Sequence, residues 1–108
     1  MKDKFALISA AKEVSSTVSS LVSTYRDIRS VKKHDIIILE ENIKNFRATC
    51  RSRGVGELIR INIEEISKTQ HLIDSQNLSS FALELAMGQL RNLNEMLTKN
   101  LEMYMNGY

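Results

Sequence analysis

The sequence predicts an all-α fold, an antiparallel helical bundle, and three observations carry that expectation. The chain has no proline and only four glycines in 108 residues, so few positions interrupt a helix. Apolar residues return at alternating steps of four and three along nearly its whole length, which keeps one face of a helix greasy. The stretches that break this rhythm are short and carry turn and capping residues. The length suits one domain, residues 1–108.

The first segment shows the rhythm in Leu7, Ala11, Val14, Val18, Leu21, Tyr25 and Ile28. Serines 15, 16, 19, 20 and 23 interleave this stripe at helical spacing, so they flank a helix and do not form a linker. The apolar register then jumps eight residues, from Ile28 to Ile36, where seven would continue it. The stretch Ser30–Asp35 is therefore either a short turn with Asp35 as N-cap or a local change of pitch within one long helix.

The second segment continues with Ile36, Leu39, Ile43, Phe46 and Cys50. Three consecutive isoleucines at its start also suit a short strand, because β-branched residues favour strands. The continuation through Ile43 and Phe46 decides for helix. Arg51-Ser52-Arg53-Gly54-Val55-Gly56-Glu57 reads as a stop and restart. Basic residues suit the negative end of a helix, Gly54 can adopt the left-handed terminating conformation, and Glu57 suits the first turn of the next helix.

The third segment is marked by Ile59, Ile63, Ile66, Gln70 and Ile73. Asp74-Ser75-Gln76-Asn77-Leu78-Ser79-Ser80 follows as a turn, with Ser79 or Ser80 as N-cap. The fourth carries Leu83, Ala86, Leu90, Leu93, Leu97 and Tyr104, with Leu101 beside them.

Two architectures satisfy this pattern: a four-helix up-down bundle with helices near 4–32, 35–53, 57–74 and 80–105, or two helices of about fifty residues forming a hairpin that dimerises, hinged at Gly54–Gly56. The four-helix bundle is the expected one.

The net charge of +2 is unevenly placed. Residues 1–56 carry eleven Lys/Arg against six Asp/Glu, a balance of +5; residues 57–108 carry four against seven, a balance of −3. The halves therefore attract each other, or the first offers a basic surface to a partner. One cysteine, Cys50, excludes a disulfide within the chain, and the expected compartment is reducing, hence cytoplasmic. No apolar run approaches the about 20 residues of a membrane helix, and the short run Phe5–Ala11 meets Lys12 and Glu13 too soon for a signal peptide.

Catalytic and metal chemistry find no constellation. Carboxylate-bridged metal sites in bundles use Glu-x-x-His pairs, but Val31 precedes His34 by three and Lys68 precedes His71 by three. Cys50 has Arg47 and Arg51 near it in sequence, yet it lies on the stripe with Ile43 and Phe46, which favours a buried small hydrophobe. Glu40-Glu41 and Glu64-Glu65 are adjacent pairs, and neighbours on a helix point about 100° apart. Gly54 and Gly56 lack the third glycine and the preceding strand of a phosphate-binding loop. The expectation is a protein with no cofactor, no metal, no small-molecule substrate and no enzymatic activity.

Interaction residues are the candidates instead. Lys44, Arg47 and Arg51 share one helical stripe, extended by Arg53, while Arg26, Arg29 and Lys33 repeat the spacing on the first helix. At the C-terminus Leu101, Met103, Tyr104, Met105 and Tyr108 cover more of a helix than one stripe needs. Leu58, Ile61, Ile37 and Ile38 add further excess. Exposed apolar patches mark interfaces, and methionine adapts to a partner surface. The partner-binding set read from the sequence is Lys44, Arg47, Arg51, Arg53, Leu101, Met103, Met105 and Tyr108. The expected function is a helical protein–protein interaction module, homodimeric, of the kind seen in chaperones, adaptors, immunity proteins and antitoxins. Nucleic-acid binding through the basic stripes is the alternative, weakened by Asp27, Asp35, Glu40 and Glu41 among the cations.

Overall fold

A computed structural model describes residues 2–50, 57–75 and 77–107. Four helices follow in chain order: α1 Lys2–Ile28, α2 Lys33–Thr49, α3 Glu57–Ser75 and α4 Ser80–Met105. The described residues contain no strand, and the isoleucine run of α2 is helical. Each helix packs on its chain neighbours, and α4 returns to α1, so the four close into a bundle 44 × 22 × 18 Å. Within the described residues no helix is long and apolar enough to cross a membrane.

The eight-residue jump between Ile28 and Ile36 is a chain break between helices, which decides for four helices over a long hairpin. Arg29 takes a left-handed conformation, φ 54°, and its N–H still bonds the Tyr25 carbonyl at 2.6 Å. Glycine is the usual occupant of that terminating position. As a result α1 stops four residues short of the expected 32, and Ile28, expected on the stripe, is half exposed. The next helix starts at Lys33, with Lys32 as an extended N-cap residue that offers no side-chain bond. Asp35, expected as the cap, sits inside the first turn instead, where its charge favours the positive helix end. At α4 the expectation of a serine cap holds: Ser79 accepts the Ala82 N–H at 3.2 Å through its hydroxyl. Gly54 and Gly56 lie outside the described residues.

The core follows the heptad stripes. Leu7, Val14, Val18 and Leu21 of α1 face Leu39, Ile43 and Phe46 of α2, Ile59, Ile63 and Ile66 of α3, and Leu90 and Leu97 of α4, all essentially inaccessible. Phe46 is the largest fully buried side chain. Burying a side chain of this size contributes about 1.5–3 kcal/mol relative to leaving it in water. Gln70 stands in the same stripe, 0 % exposed, and neither its amide nitrogen nor its amide oxygen has a protein partner.

Polar side chains join each neighbouring pair of helices. Asn42 of α2 donates to the Thr17 hydroxyl of α1. Arg47 of α2 donates to Glu64 and Ser67 of α3. Asn100 of α4 donates to Asn62 of α3, and Asn94 of α4 donates to Ser19 of α1 at 2.9 Å.

Candidate interaction surface

The helix geometry that buries one face of α3 and α4 leaves a second apolar arc on each. At about 100° per residue, Leu58 falls beside Asn62, which bonds α4, whereas Leu72 lies midway between Asn62 and Glu64, and Ile61 lies nearer Glu64, which bonds α2. Phe81, Leu85, Met96 and Met103 fall on the flank of α4 nearer Asn100, away from Asn94, which bonds α1. Leu58 and the α4 arc therefore share one side of the bundle, with Ile61 and Leu72 on the outward face of α3. All seven side chains are exposed, Phe81 to 75 % and Leu85 to 59 %. The remaining exposed large hydrophobics are dispersed, Phe5 and Ile28 on α1, Ile37 and Ile38 on α2, and Met105 at the end of α4.

Lys68 pairs with Glu65 at 3.2 Å on the outward face of α3, and Arg60 pairs with Glu57 at 2.7 Å on the flank toward α2, where its charge reaches Cys50. The hydrogen bond and charge of Glu57 hold the Arg60 guanidinium above its ordinary value.

The expected basic stripe is arranged differently from a free cationic surface. Arg47 forms a two-pronged bond to Glu64, 2.9 Å through Nε and 2.8 Å through Nη2. That hydrogen bond raises the Arg47 pKa and lowers the Glu64 carboxyl below its ordinary value, although partial burial opposes both shifts. Lys44 lies 3.6 Å from Glu40 on its own helix. Arg51 and Arg53 lie outside the described residues, as does Tyr108. On the first helix, Arg29 reaches across to Glu84 of α4 at 2.7 Å.

The apolar candidates also divide. Met103 and Met105 are exposed, but on opposite flanks of α4, so they do not form one patch. Leu101 is a correction: it is 4 % exposed and belongs to the core, because it follows Leu97 by four residues on the same stripe. Tyr104 is half-buried with the Lys4 ammonium 5.2 Å from its ring centre. Phe81, Leu85 and Met96 were not among the sequence candidates, although their spacing to Met103 places all four on one face of α4.

Cys50 is half-buried, not fully buried, at the end of α2. Burial pushes its thiol above the ordinary value, partly offset by the positive charge of Arg60.

These features define a class: an antiparallel four-helix bundle with exposed apolar side chains on the outer faces of α3 and α4. Set against known proteins, the chain matches no protein-family model, no curated protein and no solved structure.

Proposed function

We propose that this chain is a helical protein–protein interaction module that pairs with a second copy of itself through the outer faces of α3 and α4. One observation carries the reading. Seven large apolar side chains, three from α3 and four from α4, are exposed on the outer faces of these two helices. Exposed apolar side chains gathered on neighbouring elements are characteristic of an interaction site.

Charge supports self-pairing. With Lys68 already paired to Glu65 on the outward face of α3, the face has less positive charge to repel an identical copy. The role includes no catalytic step, and the cytoplasm is its proposed compartment. Nucleic acid is the weaker reading, since Glu64 already occupies Arg47, the central cation of the α2 stripe.

Light scattering of the full chain tests the proposal. The expected mass is twice the 12.3 kDa of one chain. Leu85→Glu with Met96→Glu should return it to one chain while leaving the circular dichroism unchanged, because both side chains are exposed. A single-chain mass at high concentration, or a dimer indifferent to the double substitution, overturns it.

A further inference from the structure

A groove lies between α4 and the C-terminal half of α1. It encloses about 340 Å³ and is lined by Tyr25, Arg26 and Arg29 of α1 and by Glu84, Gly88 and Arg91 of α4, with Val22 and Met87 as its apolar part. This volume falls in the range of small-molecule sites, about 300–1,000 Å³.

Three arginines and one carboxylate give the groove a net charge of +2 (three minus one). Glu84 takes Arg29 alone, at 2.7 Å. Arg26 and Arg91 form no ion pair in the described structure. Two local costs accompany this arrangement. Arg29 holds a left-handed backbone, φ 54°, a conformation that non-glycine residues visit at a cost of about 1 kcal/mol or more. Gly88 sits in the middle of α4, where glycine weakens a helix by about 0.5–1 kcal/mol relative to alanine. A β-carbon built at Gly88 would meet no atom within 4 Å. Packing inside the chain therefore gives no reason for a glycine there, whereas its missing side chain leaves the edge of the groove open beside Glu84.

We infer that this groove binds a small phosphorylated molecule, with its phosphoryl group between Arg26, Arg29 and Arg91 and its apolar part against Val22 and Met87. Guanidinium groups bind phosphoryl oxygens through paired, charge-assisted hydrogen bonds. Glu84 orients Arg29 across the mouth of the groove, and Gly88 admits the ligand close to the helix backbone. The three arginines lie away from the proposed dimer face, so pyrophosphate binding and chain mass are read independently.

The test titrates the full chain with sodium pyrophosphate at low ionic strength and follows backbone amide shifts. Saturable shifts centred on Gly88 and the three arginines are expected. Arg26→Ser with Arg91→Ser should weaken binding by about tenfold per arginine. Lys12→Ser with Lys44→Ser removes the same charge elsewhere and should weaken it far less. Gly88→Leu places a side chain at the edge of the groove and should weaken binding while the helical signal is kept, which separates lost binding from lost fold. Shifts that never saturate, an equal loss in the lysine control, or binding of duplex DNA without saturable pyrophosphate binding would each overturn the site.

Discussion

Replacing Gln70 by leucine should make this protein more stable. The side chain is fully buried among the isoleucines of α3 and the core of the other helices, and both its amide atoms lack a protein partner. A buried polar group without a hydrogen bond costs about 1–3 kcal/mol by mutational measure. Leucine removes that cost and adds apolar burial at similar volume. Imperfect shape complementarity after the change returns up to about 1.5 kcal/mol. The net expectation is a gain of about 1–2 kcal/mol. For a chain of 108 residues, each kcal/mol moves the melting temperature by roughly 4–6 °C, so Gln70→Leu should melt about 5–10 °C higher. Thermal unfolding by circular dichroism at fixed protein concentration reads the shift directly, and the concentration is held because self-association also raises the melting point. An unchanged or lower melting temperature would refute the reasoning, because it would mean the amide is satisfied or that its shape is indispensable.

Three other expectations follow from the same structure. Glu64→Gln should cost under about 1 kcal/mol at neutral pH, since the Arg47 pair is half exposed and screened. The folded-state pKa of Glu64 is depressed, so its contribution is present above the unfolded value and lost as pH falls through the folded one. The wild type and variant should therefore differ in urea unfolding at pH 7 and converge in acid, below the ordinary carboxylate range. Cys50, its thiol raised by burial, should react with iodoacetamide at pH 7 more slowly than free cysteine, and a faster reaction would contradict that environment. Ser79→Ala removes the acceptor of the Ala82 N–H and should destabilise the chain by about 1 kcal/mol in denaturant unfolding, with no loss if the cap is idle.

Much of this fold was legible because burial on a helix repeats every three or four residues. The stripe through Ile59, Ile63, Ile66 and Ile73 is buried as its spacing implies, including Gln70. The eight-residue step after Ile28 marked the first break but not its mechanism. The chain turns through a left-handed arginine, and Asp35 is drawn into the first turn because Ile36 must face the core. The surface was harder. Arg47 looks free on its own helix, and only the antiparallel return of α3 brings Glu64 to it. Leu101 was grouped with the surplus apolar residues of the C-terminus, though its four-residue step from Leu97 already placed it inside. The α4 arc of Phe81, Leu85, Met96 and Met103 was obscured by the polar Asn92 and Lys99 on the same face.

The polar bridges between helices bear on handedness. An aliphatic interior is nearly indifferent to whether four helices run clockwise or anticlockwise about their common axis, since leucine and isoleucine pack either way. Thr17 and Ser19 point about 200° apart on α1, and they hold Asn42 of α2 and Asn94 of α4 respectively. In the mirror-order assembly the flanks of α2 and α4 that carry these asparagines would turn away from α1, and neither bridge could form. The bridges thus select one of two otherwise comparable topologies, a choice that hydrophobic patterning alone leaves open.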